Sequence, residues 1–142
     1  MKNLYRKALL CVMGLCAAVA MARSQVATIE RITVSGNDNS IVVAIDANLP
    51  VTPQAQLLRA PDRIVVDLPG AIPAKHLRDI QRGGALRSVR VGLFSVNPPV
   101  TRVVLDLKIT QKYEISSIGN KVVVRVNLEQ VPSQSNDAEP KQ

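Results

Sequence analysis

The side chains with chemistry to offer are few, and most are arginines. Between Lys75 and Arg90 stand Lys75, Arg78, Arg82, Arg87 and Arg90 against one acid, Asp79. Guanidinium forks match carboxylates in a bidentate geometry, so one reading of this stretch is a grip on an anionic polymer. The other reading is a solvated loop and strand face, as charge runs often are. Phe94 shares a strand face with Arg90 if the strand alternates, and there its ring either stacks on a sugar or fills a gap at the edge of the fold. Arg63 and Arg102 open two near-identical runs, Arg63-Ile-Val-Val-Asp-Leu68 and Arg102-Val-Val-Leu-Asp-Leu107. In each run Arg, Val and Asp fall on one face, forming either a polar recognition surface or ion pairs across neighbouring strands. The candidate binding residues are therefore Arg63, Arg87, Arg90, Phe94 and Arg102. Nucleic acid would use the same charge. It is not the expected partner, because stacking aromatics are nearly absent, with no Trp, two Tyr and one Phe.

Catalytic chemistry finds little to work with. His76 is the one histidine, whereas a zinc enzyme draws on three protein ligands. No nucleophile-elbow pattern surrounds any serine. Asp46, Asp67 and Asp106 could in principle pair to cleave a glycoside, but they recur at strand ends where ion pairing accounts for them. No catalytic residue, metal site or cofactor is expected.

The N-terminus reads as an address. Lys2, Arg6 and Lys7 precede an apolar run from Ala8 to Val19, and Ala20-Met21-Ala22 has the small-x-small form of a cleavage site. The pattern predicts a secretory signal peptide over residues 1–22, cleaved before Arg23, and a periplasmic destination. The run is shorter than the ~20 apolar residues of a membrane span, so no span is expected after cleavage. Retention of the segment as an anchor is the alternative. Cys11 and Cys16 both lie inside it, which leaves the mature chain without disulfide, thiol nucleophile or thiolate ligand. The residues ahead of Cys16 do not have the form of a lipoprotein signal. Removing Lys2, Arg6 and Lys7 lowers the formal charge from +7 to +4, which equals the surplus of the Lys75–Arg90 stretch.

These residues must be positioned by strands. The chain has 142 residues, enough for one domain, and with so few aromatics its core must come from Val, Ile and Leu, which favour strands. Leu86 to Leu107 reads as two strands around a break at Asn97-Pro98-Pro99. Val89, Val91, Leu93, Val103, Leu105 and Leu107 would be buried, and the arginines would face out. The prolines should lie outside the paired region. Earlier strands are expected at Ile29–Val34, Ile41–Asp46, Gln54–Leu58 and Arg63–Leu68, with Ile64, Val66 and Leu68 inward. Two later ones, Lys112–Ile118 and Lys121–Leu128, join at Gly119-Asn120, a good hairpin turn. Pro73 to Arg82 reads as a short helix or helical loop, from Pro73 at a first turn, Leu77 and Ile80 three apart, and the stop Gly83-Gly84. The tail, residues 131–142, is polar and expected to be disordered.

Eight strands and one helical interruption over residues 23–130 suit a small barrel or a β-sandwich. An internal echo favours the sandwich. A shift of sixty lays Val43-Ala44-Ile45-Asp46 on Val103-Val104-Leu105-Asp106, and Val66-Asp67-Leu68 on Val126-Asn127-Leu128. The fold class is thus all-β, with two roughly four-stranded sheets face to face and one short helix or helical loop.

Taken together, Leu58-Arg-Ala-Pro-Asp-Arg-Ile-Val-Val-Asp-Leu-Pro-Gly-Ala71, Val89-Arg-Val-Gly92 and Thr101-Arg-Val-Val-Leu-Asp-Leu107 resemble the AMIN domain. That domain stands ahead of the catalytic domain in periplasmic N-acetylmuramoyl-L-alanine amidases and at the N-terminus of type IV pilus secretins. The likeness runs from about Ile29 to Leu128. In many relatives Gln follows R-V-G, and Leu93 stands there here. The resemblance implies two four-stranded sheets and a non-catalytic role: binding peptidoglycan and localising an envelope complex. A protein-interaction adaptor for a pilus secretin or a division amidase is the alternative. With no amidase or secretin domain in this sequence, the expectation is a free-standing module.

Overall fold

The computed structural model describes residues 24–37 and 39–129. The expected signal segment and polar tail lie outside the described residues. Ten strands follow in order: β1 Ala27–Gly36, β2 Ser40–Ala47, β3 Gln54–Leu58, β4 Arg63–Pro69, β5 Ala71–Pro73, β6 Ile80–Gln81, β7 Leu86–Val96, β8 Pro99–Leu107, β9 Lys112–Ile118 and β10 Lys121–Asn127. They form two five-stranded sheets, ordered β5-β1-β2-β10-β9 and β3-β4-β8-β7-β6. The all-β architecture expected from the alternation is present, with each sheet one strand wider than expected.

The extra strands flank and occupy the stretch read as helical: β5 ends at its first residue, Pro73, and β6 lies within it. Leaving β4, the chain passes Gly70 at φ 72 and lays Ala71–Pro73 parallel to β1, in the first sheet. A turn at Lys75-His76 follows, and Ile80–Gln81 then joins β7 in the second sheet. Pro73 ends an edge strand, where its missing N–H costs no ladder bond. Leu77 and Ile80 are both partly buried against the core, so their spacing of three serves an extended crossing between sheets instead of a helical face.

The core is aliphatic. Ile29, Val43, Ile45, Ile64, Val66, Leu68, Leu86, Val89, Val103, Leu105, Val124 and Val126 are at most 1% exposed. Period-two alternation delivers these side chains to the space between the sheets, and each fully buried one contributes about 1.5–3 kcal/mol relative to exposure. Val103, Leu105 and Leu107 point inward as read from the sequence. The weak alternation of β1 has a local cause: a bulge between Ile29 and Arg31 resets the phase, so Ala27 and Ile29 pack inward before it and Ile32 and Val34 after it.

Two expectations about the β7–β8 hairpin change. Leu93 is 44% exposed although it keeps its place opposite the buried Thr101, next to a bulge between Leu93 and Ser95 near the end of the hairpin. Pro99 lies within the ladder, opposite Val96. A strand's first residue tolerates proline, and the Pro99 carbonyl accepts a hydrogen bond from the Gly70 N–H at 2.9 Å.

The internal echo corresponds to an approximate twofold arrangement of strands. β1, β2, β3 and β4 answer to β7, β8, β9 and β10, and the order β1-β2-β10-β9 in one sheet becomes β7-β8-β4-β3 in the other. The register differs from the sequence match in one respect. Ile45 pairs with Val122 and its counterpart Leu105 pairs with Ile64, so Val66 answers to Val124, two places from the sequence alignment. A slip of two keeps every side chain on its own face.

Leu105→Ala should lower the unfolding free energy by about 2–5 kcal/mol, because it leaves a cavity where the sheets meet. Phe94→Ala, on the outer surface, should change it by less than about 0.5 kcal/mol plus whatever the contact with Arg102 contributes. Urea unfolding followed by far-UV circular dichroism checks both.

Candidate functional site

Three strands set out the outer face of the second sheet as rows. Arg63 of β4 lies opposite Asp106 of β8, and Asp106 opposite Ser88 of β7. Val65, Val104 and Arg90 make the next row, and Asp67, Arg102 and Gly92 the third. The outward Arg, Val and Asp of the two repeated motifs are thus interleaved antiparallel, placing the arginine of one against the aspartate of the other.

The ion pairs follow from this register. Directly across the strands, Arg102 Nε donates to Asp67 Oδ1 at 2.7 Å and Nη2 to Oδ2 at 2.8 Å. Arg90 reaches diagonally, with Nε donating to Asp106 Oδ2 at 2.7 Å and Nη2 to Oδ1 at 3.0 Å. Ser88 Oγ adds a third donor to Asp106, at 2.8 Å. Hydrogen bonding from Arg90 holds the Asp106 carboxyl below its ordinary range despite partial burial, and the nearby positive charges of Arg90 and Arg63 act in the same sense. The guanidinium groups of Arg90 and Arg102 are raised by the same pairings. Arg63 Nε is buried without a hydrogen-bond partner. Val65, although on the outer face, is 3% exposed, as expected where long charged side chains in the flanking rows lay their stems over it.

One end of this face is hollow. Arg102 Cζ sits 3.4 Å from the centroid of the Phe94 ring, a close cation–π contact. Gly92, opposite Arg102, carries no side chain, and a Cβ placed there would meet no atom within 4 Å. The result is a groove of about 330 Å³ lined by Asp79, Arg90, Val91, Gly92, Leu93, Phe94, Arg102 and Val104. Asp79 closes the edge: its Oδ1 accepts a hydrogen bond from the Val91 N–H at 3.0 Å, where β6 has ended and no further strand of the described residues pairs.

Of the residues singled out in the sequence, Arg90, Phe94 and Arg102 converge on this groove. Arg63 shares the face two rows from Arg102 and does not line it. Arg87 is the extra residue of a bulge between Leu86 and Ser88, exposed, with its carbonyl accepting from the Arg82 N–H. The basic stretch Lys75–Arg90 is therefore not a single patch: Arg78 Nη1 turns back to the carbonyls of Lys75 and Leu77, and Arg90 is held by Asp106. Asp79 was missed as a site residue. Its one signal was being the lone acid in that stretch, which reads as charge compensation until β7 is seen to need a cap there.

The other sheet offers no equivalent. The counterparts of Arg102 and Asp67 are Val42 and Arg125, a facing pair with no ion pair to make. Asp46 and Lys121 do pair, at 3.2 Å, in the place of Asp106 and Arg63, but among the described residues no aromatic ring lies on that face. A wider cleft of about 590 Å³ includes His76, whose Nε2 lies 2.9 Å from the Glu30 carbonyl oxygen. Among the described residues no group of three or more His, Cys, Asp or Glu is placed to hold a metal ion, and no helix is long and apolar enough to cross a membrane.

The fold is a twofold β-sandwich with an arginine-and-aromatic groove on one outer face. The AMIN domain model matches residues 31–129, so the chain belongs to the AMIN domain family. No curated protein matches the sequence.

Asp106→Asn tests the ion-pair lattice. Its carboxyl is held below the unfolded value, so its contribution is present above the unfolded pKa and is lost as pH falls through the folded one. The variant should be less stable at pH 7 by about 0.2–1 kcal/mol. The difference should vanish as the pH is taken down below the ordinary carboxylate range, which thermal melts of both proteins from pH 7 to pH 2.5 would register.

Proposed function

We propose that this chain is a non-catalytic periplasmic module that binds peptidoglycan through the outer face of its second sheet and so localises an envelope complex. The observation that carries this reading is the groove over Gly92, where Arg90, Arg102 and Phe94 meet on the face formed by the family's two R-[IV]-V-x-D-L motifs and R-V-G. Membership of a family whose members accompany amidases and secretins supports the wall as the target, and the secretory pattern of residues 1–22 supports the compartment. Arg63 extends the same charged face, and Arg87 borders it from the β7 bulge. The test is co-sedimentation of the mature protein with purified sacculi at low salt. The protein should pellet with the sacculi, and Arg102→Ala should release most of it, because the substitution removes both the pair with Asp67 and the cover on Phe94. Failure to pellet at any salt concentration would sink the reading.

A second reading, an adaptor for a secretin or amidase complex, has its own observation. Among the described residues no strand neighbours the outer edge of β7 beyond β6, and Leu93, Phe94 and Val96 near it are 44%, 59% and 77% exposed. An open edge with apolar side chains suits addition of a strand from another protein. A stoichiometric protein partner captured from envelope extracts and retained after muramidase digestion favours the adaptor. Release of all bound material by the digestion favours the wall.

A further inference from the structure

We infer that the groove over Gly92 recognises a pyranose ring of the glycan strand and not the carboxylates of the stem peptides. This rests on the reading that the groove is the peptidoglycan-binding site, and it reverses the ligand chemistry that the arginines suggest when read alone.

Charge is the first reason. Each of the two arginines lining the groove already holds a carboxylate in a bidentate pair, Arg102 with Asp67 and Arg90 with Asp106. Asp79 adds a third negative charge at the rim. A carboxylate ligand would have to displace an intramolecular carboxylate already in optimal fork geometry, while approaching Asp79. The groove therefore lacks the unmet positive charge that anion recognition needs.

The second reason is the hydrogen-bonding inventory. Pairing uses Nε and one Nη2 hydrogen of each guanidinium, so Nη1 and the remaining Nη2 hydrogen of Arg90 and Arg102 are left as donors. Asp79 spends Oδ1 on the Val91 N–H, and no described residue takes up its second oxygen, which is left as an acceptor. Donors and an acceptor around one hollow suit groups that both give and accept hydrogen bonds. Sugar hydroxyls do so, and carboxylates do not.

Shape is the third. Arg102 covers one face of the Phe94 ring, yet Phe94 remains 59% exposed, so its opposite face and edge are open. A flat apolar ring beside planar, paired polar groups matches the C–H face and hydroxyl rim of a pyranose. Gly92 keeps the floor open, and about 330 Å³ lies at the small end of the ~300–1,000 Å³ typical of ligand pockets, enough for a short sugar segment. Arg102, fixed by Asp67 and by Phe94 at once, comes with its rotamer already set, which reduces the entropic cost of binding.

The discriminating variant is Gly92→Val. A strand favours Val over Gly, the backbone there is not left-handed, and the added Cβ meets nothing within the protein, so the variant should fold at least as well while filling the groove. Binding of the mature protein to chitotetraose and to a free stem tripeptide is measured by titration calorimetry, alongside pelleting with sacculi. Chitotetraose should bind and the tripeptide should not. Gly92→Val should abolish the binding, and Phe94→Ala should weaken it by roughly two- to tenfold. Raising the salt from 50 to 300 mM should change the affinity by less than about twofold, since no net charge is neutralised. Maltotetraose separates the sugar sources. Binding of chitotetraose alone assigns the amino-sugar strand of the wall, and equal binding of both assigns envelope glycans more broadly; either result keeps the pyranose. Pelleting with sacculi that is salt-sensitive and competed by the tripeptide, with no chitotetraose binding, overturns the inference and leaves peptidoglycan binding standing. Absence of pelleting removes both.

Discussion

The pairing of β4 with β8 fixes both surfaces of the second sheet at once. Ile64, Val66 and Leu68 meet Leu105, Val103 and Thr101 on the inner side, and the same register sets Arg63 against Asp106 and Asp67 against Arg102 on the outer side. A slip of either strand by one residue would turn its arginine and its aspartate into an aliphatic core, where an unpaired charge has no compensating water. The register is thus specified twice, by burial on one face and by charge on the other. The hydrophobic side supplies most of the energy. The ion pairs, partly solvated, supply less of it and mainly hold side chains in fixed positions.

That positional role explains the groove. An isolated exposed arginine samples many rotamers, but Arg102 is clamped by a carboxylate opposite and a ring beneath. Its counterpart in the other sheet is Val42, which faces Arg125 with neither clamp. The two halves of the sandwich share strand order and core packing, yet only one outer face has developed a rigid polar hollow. The two halves agree where burial demands it and differ on their exposed faces, since surface side chains on a strand answer only to their neighbours across the ladder.

The sequence carried most of the fold because its strongest signal, period-two alternation of Val, Ile and Leu, is the one that sheet burial enforces. Where that signal fails, the structure shows a local cause. β1 loses its phase at the bulge after Ile29 and β7 at the bulge after Leu93, and Leu93 itself, opposite Thr101, lies near the end of the hairpin where the inner face is open. The stretch from Pro73 to Arg82 carried helical cues, Pro at a first position and apolar residues three apart, but the chain there crosses from one sheet to the other, and an extended crossing can also bury residues spaced by three. Arg90, Phe94 and Arg102 were legible as partners because β7 and β8 form a hairpin and their shared face follows from alternation. Asp79 was not, since its role depends on where β6 stops, and a two-residue strand leaves no periodic trace.

Neutralised arginines change what a basic composition means. The formal charge of +7, or +4 without Lys2, Arg6 and Lys7, suggests long-range electrostatic attraction to polyanions. Within contact distance the picture differs, because the arginines lining the groove are already satisfied and what they present is geometry: planar donors beside an aromatic ring. Steering and recognition then belong to different residues. On the proposed reading, Lys75, Arg82 and Arg87, exposed and outside the groove, would raise the encounter rate with a polyanion, whereas Arg90 and Arg102 would decide what stays bound. On the function proposed above, a module built this way would gather broadly by charge and discriminate by shape.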